Sequence, residues 1–283
     1  MQDLYLENKN RILSVKDLPT LPAVLDEVTE LVQDPGSSID QIAKVISKDQ
    51  VLSAKVLKMV NSPIYGFPRR IGTIQHALVL LGFNVIRGLI ISNSVFDIMT
   101  KNMVGLWEHS LGCAIACAGI AREADLKDPE EYSVAGLLHD LGKLVSIIQL
   151  PEIKEEVDAL VQEKDITYYQ AEKEVMGFAH DRINAWLADH WNLPLRLREG
   201  LVWHHRPKSA QHYPEVACVV HLGDFLARIF QVGNSGDDQV NYLDKYVFKV
   251  LNLHQDKLEK AIEHLDSELV ELRGFSPVAT EGG

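Results

Sequence analysis

Apolar residues recur three and four positions apart along nearly the whole chain, and no stretch alternates apolar with polar as a half-buried strand does. Packed helices are then the available way to build a core. Leu21, Val24, Leu25, Val28, Leu31 and Val32 form one stripe, with Pro22 where a first helical turn tolerates it. Ser38 with Gln41, and Thr167 with Gln170, have capping-box spacing and predict helix starts. A helix is predicted from Asp49 to Val60. "TIQHALVLLGFNVIRGLIISNSVFDIM" reads as two helices broken near Gly82. Asp128, Pro129 and Glu131 predict a further capped start, and "SPVATEGG" reads as a frayed tail. The expected class is all-α, with a soft boundary near residues 98–106.

Composition narrows the partners. The chain has 283 residues, 46% of them hydrophobic, which is enough for a sizeable core. A formal charge of −12 disfavours nucleic acid and anionic membranes as partners. Cys113, Cys117 and Cys218 make no C-x-x-C pair and read as small buried hydrophobes in a reducing compartment. The first residues lack a signal-peptide apolar region. "ALVLLGFNVIRGLIIS" is interrupted by Asn84 and Arg87, short of the roughly 20 apolar residues of a membrane span. The expectation is a cytoplasmic protein without a membrane partner.

The chemistry is concentrated in polar groups set in apolar helices. "VAGLLHDLGKLV" places His139, Asp140 and Lys143 inside one such run, where burial is costly unless something pairs with them. His109, His180, His204, His205 and Asp224 lie in similar surroundings. Histidine and carboxylate together suit Fe, Mn, Zn and related ions. Adjacent His and Asp on one helix point about 100° apart, so the carboxylate can bridge to a second metal. Lys143 can pair with a carboxylate or hold a phosphate. Each signal has a plainer reading. His109 and His180 alone read as capping or core histidines, and His204–His205 as positive charge at a helix C-terminus. Asp224 in "VVHLGDFLARIF" is harder to dismiss. His221, one turn earlier, reads as a residue supporting the ligands.

The order H…HD…H…HH…D resembles the HD superfamily of metal-dependent phosphohydrolases. "LPTLPAVLDEVTELVQDP", "IAKVISKDQVLSAKVLKMVNSPIYG" and "IGTIQHALVLLGFNVIRGLII" closely resemble the HDOD family, the HD-related output domain of bacterial signalling proteins, over roughly residues 15–230. The resemblance implies a multi-helical HDOD/HD-domain fold. Residues 1–100 would form an N-terminal helical lobe, and residues 101–283 an HD-like metal-binding bundle with C-terminal helices. It implies His109, His139, Asp140 and Asp224 as core ligands. His180, His204 and His205 would serve a second divalent metal, with Asp140 bridging. The cofactors implied are two divalent ions, Fe or Mn before Zn, Ni or Co. The G-x-G-Y-P segment of HD-GYP proteins is absent, and Gly105 stands where a glutamate can bind a further metal. Cyclic di-GMP hydrolysis and a third metal are therefore unsupported.

Two functions follow as expectations. One is metal-dependent phosphohydrolysis of a phosphorylated or nucleotide substrate, with Asp140 and Lys143 catalytic. The other is a non-catalytic output module that binds a protein partner in a signalling pathway, its metal structural or vestigial. A helix-turn-helix reading of residues 38–60 is the weaker option, because Val51, Leu52, Val56, Leu57, Met59 and Val60 suit burial better than a DNA groove.

Overall fold

The computed structural model describes residues 2–13, 23–34 and 36–272. Leu21, Pro22 and the tail 276–283 lie outside them. The described residues form helices and turns with no strand. In order these are α1 (Gln2–Leu13), α2 (Ala23–Gln33), α3 (Ile39–Ser47), α4 (Gln50–Val60) and α5 (Ile74–Asn102). Then come α6 (Leu106–Glu123), α7 (Pro129–Leu138), α8 (Leu141–Gln149), α9 (Pro151–Lys164) and α10 (Tyr168–Met176). The last are α11 (His180–His190), α12 (Leu195–Trp203), α13 (Pro214–Ile229), α14 (Tyr246–Val250) and α15 (Gln255–Leu272).

Local chemistry explains most helix starts. The two capping boxes form: Ser38 N donates to Gln41 Oε1 at 2.7 Å, and Thr167 N to Gln170 Oε1 at 3.0 Å. Gly82 interrupts α5 with φ 75° and ψ 170°, at the break the sequence predicts. Asp128 corrects an expectation. It makes no side-chain cap but sits at φ 54°, turning the chain into Pro129. A second correction concerns α4, where Leu52, Val56, Met59 and Val60 are buried but Val51 is 69% exposed. Both α3 and α4 pack on α5, which commits the helix-turn-helix-like segment to the core.

By length and composition, Ile74–Phe96 is apolar enough to cross a membrane despite Asn84 and Arg87. However, 61% of that window is buried inside the fold, and Gly82 kinks it. It is a core helix.

The centre of the molecule is α6, packed between α7, α13 and α15. Its small residues allow close approach. A Cβ added to Gly136 of α7 would lie 2.7 Å from Cys117 Sγ, and one on Gly223 of α13 would lie 2.5 Å from the same atom. All three cysteines are free and buried. Their role is packing, as expected. Leu111, Ile115 and Ile120 fill the rest of α6, each contributing about 1.5–3 kcal/mol by burial. This tight three-helix contact brings the start of α6, the end of α7 and the middle of α13 to one point.

Candidate metal centre

The helix expected to carry His139 and Asp140 is in fact two. α7 ends at Leu138, His139 caps it, and Asp140 precedes α8. The break aims the two side chains inward together. Asn184 of α11 secures it: its Nδ2 donates to His139 O at 2.5 Å and Leu201 O at 3.0 Å, and its Oδ1 accepts from Gly142 N at 2.8 Å. Gly142 is required there, because a Cβ would lie 2.3 Å from His180 O.

Seven candidate ligands converge. His109, His139 and Asp224 form one group, and His180, His204 and His205 another, each with ligand atoms within 4.8 Å of one another. Asp140 stands between them. Its Oδ2 lies 3.4 Å from His139 Nε2 and 3.8 Å from His109 Nε2, while its Oδ1 lies 3.2 Å from His180 Nε2. The rings of His139 and His204 meet edge to face, centroids 5.2 Å apart, so the groups adjoin.

Second contacts set the tautomers. His139 Nδ1 donates to Gly136 O at 2.7 Å, and His204 Nδ1 to Leu201 O at 2.9 Å. His180 Nδ1 donates to Glu172 Oε2 at 2.5 Å. In the neutral ring each Nε2 is then a lone pair turned toward the centre, and that of His180 meets His205 Nε2 at 2.9 Å. His139 Nε2, His204 Nε2 and Asp140 Oδ1 are buried without a hydrogen-bond partner. Orphaned buried acceptors of this kind are costly, and a bound cation satisfies them together.

The electrostatics divide the histidines. Burial pushes His204 and His205 well below the ordinary imidazole value, and the neighbouring histidines push the same way. Burial also lowers His109, against Asp224. Burial would raise Asp140, but His139 and Lys143 hold it well below the usual carboxylate range. Arg228 and His109 do the same for Asp224 against burial. His139 runs the other way: burial lowers it, but Asp140 raises it well above 6.5. The ionised carboxylates draw positive charge to the centre.

Lys143 pairs with Asp140. It is 0% exposed, 2.6 Å from Asp140 Oδ2 and 3.0 Å from Ser235 O. His221 supports the second group from behind, its Nδ1 donating to His204 O at 2.6 Å and its Nε2 accepting from Asp244 N at 3.0 Å.

Sequence reasoning missed Glu172, Asn184, Arg228, Ser235 and Asp237. Arg228 was findable, one turn after Asp224 and 2.9 Å from its Oδ1. Asn184 shares a face with His180 at helical spacing. Glu172 sits among the charges of "AEKEVM", and nothing local marks it.

The HDOD domain family pattern matches residues 18–207. A solved HDOD domain protein with unknown function from Geobacter sulfurreducens is similar at 27% identity, covering 96% of this chain and 97% of its own, with a TM-score of 0.74. A solved Shewanella amazonensis SB2B protein named "Putative phosphohydrolase" is 25% identical, covers 90% and 98%, and has a TM-score of 0.62. An uncharacterized protein of Treponema pallidum (strain Nichols) is 26% identical over 231 residues, 80% of this chain and 45% of its own length. The chain thus spans less than half of that curated relative. With the family pattern running through six of the seven candidate ligands, all but Asp224, and a solved member matching almost end to end, the chain belongs to the HDOD domain family within the HD superfamily.

Proposed function

We propose that this centre holds two divalent ions and hydrolyses a phosphoester, as part of a bacterial signalling protein. His109, His139 and Asp224 would hold one ion, His180, His204 and His205 the other, with Asp140 bridging. The carrying observation is the arrangement around Asp140: one carboxylate oxygen faces each histidine group, with buried imidazole Nε2 atoms turned inward, those of His139 and His204 without a hydrogen-bond partner. Histidine-rich sets with carboxylate suit Fe or Mn, and Zn, Ni and Co also meet the requirement. Two ions bound there supply Lewis acidity and a water of lowered pKa.

The chain's own residues do the rest. Asp140 spaces the two groups. The Nδ1 partners Gly136 O, Leu201 O and Glu172 keep three rings oriented. Lys143 offsets charge on the phosphate. Likeness to the Shewanella protein supports the reaction class. Elemental analysis comes first, with two metals per chain expected. Metal-loaded protein is then assayed against nucleotides and cyclic dinucleotides. No turnover above a metal-free control, with both metals bound, refutes hydrolysis.

One observation favours a second reading, a non-catalytic output module. His109, His139, Asp140, His180, His204 and Asp224 are each at most 3% exposed, as suits a structural metal. A protein partner would then dock on the helical surface, where Val51 of α4 and Val79 and Leu80 of α5 are exposed. Under this reading Asp140→Ala lowers thermal stability with no activity to lose. Wild-type turnover that Asp140→Ala abolishes decides against it.

A further inference from the structure

Six of the seven candidate ligands are at most 3% exposed, and only His205 is half-buried. A cavity of about 630 Å³ lies between α13 and the loop 231–245, and His109, Arg228, Asn234, Ser235, Asp237 and Gln239 are among its lining residues. The loop has no regular structure and reaches the length at which such loops are usually functional.

The loop is fastened to the centre at several points. Asn234 N donates to Gly105 O at 2.9 Å, beside His109. Gly233, at φ 64°, approaches so closely that a Cβ would lie 2.3 Å from His109 N. Asp237 accepts from Tyr168 N at 2.8 Å and Arg228 Nη1 at 3.0 Å. Two further fastenings use the charged groups of the site itself. Ser235 O accepts from Lys143 Nζ at 3.0 Å, and Asn241 Nδ2 donates to Asp224 Oδ2 at 2.9 Å. A neutral carbonyl therefore occupies a donor of the lysine that faces Asp140.

We propose that residues 231–245 are a lid over a substrate cavity. A phosphorylated small molecule enters there and takes the Lys143 ammonium from the Ser235 carbonyl. This rests on the metal-centre reading above. The exchange is favourable because an anionic oxygen makes a stronger, charge-assisted bond to an ammonium than a peptide carbonyl does. The cavity volume suits a ligand of nucleotide size rather than a polymer. The competing entrance is the half-buried His205, where the Tyr169 ring lies 4.0 Å away and Arg206 pairs with Asp181.

The full chain is loaded with Mn²⁺, and release into excess EDTA is timed by the electron-spin signal of free Mn²⁺. Two glycines inserted after Asp238, and separately Asp237→Ala, are expected to speed release at least about tenfold by easing local opening. Arg206→Ala should leave the rate unchanged. Wild-type rates in both lid variants, or acceleration by Arg206→Ala alone, overturn the lid. Saturating inorganic phosphate should speed release about threefold or more in the wild type, because it takes Lys143 from Ser235 and so favours the unfastened loop, and not in Lys143→Met. No phosphate effect in the wild type, or an equal effect in both proteins, overturns the substrate assignment. A wild type that takes up no Mn²⁺ overturns the metal reading instead, and zero loading tells that result apart.

Discussion

The Asp140–Lys143 pair offers the sharpest test of the centre. The two groups lie 2.6 Å apart, 1% and 0% exposed. Replacing Asp140 with Ala leaves Lys143 with the neutral Ser235 carbonyl beside it. Removing one partner of a buried ion pair costs about 3–5 kcal/mol, because the other charge stays desolvated. Total stability of a domain is about 5–15 kcal/mol, so the loss is a large fraction. At a urea slope of about 2 kcal/mol/M, the unfolding midpoint should fall by roughly 1.5–2.5 M. Asp140→Ala combined with Lys143→Met removes the stranded charge and keeps a side chain of similar shape. That double variant should recover more than half of the loss, because coupled neighbours are not additive. Urea unfolding of the EDTA-treated proteins, followed by far-ultraviolet circular dichroism, reads both effects. A single-variant loss under about 1 kcal/mol, or a double variant no more stable than Asp140→Ala, would refute the pairing argument.

Three further outcomes are expected. Glu172→Gln weakens the contact that orients His180 and should reduce Mn²⁺ affinity about 10–100-fold, measured by chelator competition; unchanged affinity removes Glu172 from the centre. Gly142→Ala drives a Cβ into His180 O and should cost about 1–3 kcal/mol by overpacking, with metal loading lowered as well; a wild-type melting temperature contradicts this. The third concerns pH. Burial lowers His109, His204 and His205 in the folded protein, so the unfolded chain binds more protons below its ordinary value of 6.5, and stability falls as pH drops. Burial also lowers His139 and His180, but Asp140 and Glu172 raise them further, and their stabilisation is lost as pH rises through their folded values. Metal-free stability should therefore peak near about pH 6.5 and fall on both sides, as urea midpoints across that range will show; a monotonic profile sinks the assignment of directions.

The helices were legible because their causes are local. Ser38 with Gln41, Thr167 with Gln170, and the Gly82 break each depend on residues within one turn, and the structure keeps all three. Asp128 was misread because a residue type that caps can equally turn the chain through φ 54°. Val51 was misread because an apolar residue in an apolar helix still falls on one side of the cylinder or the other.

The candidate site divides in the same way. The sequence alone determined which groups are costly to bury: His139, Asp140, Lys143 and Asp224 stand in apolar runs, and desolvation makes each demand a partner. It could not determine which partner. Asp140 took Lys143, Asp224 took Arg228 and His109, and His180 took Glu172. Those pairings rest on the close packing of α6 with α7 and α13, and on the break between α7 and α8 that turns His139 and Asp140 inward. Only the tertiary structure decided that one carboxylate faces two histidine groups and that loop 231–245 is fastened to Lys143 and Asp224. Contacts spanning up to 115 positions in the chain, such as His109 with Asp224, leave no trace in local periodicity.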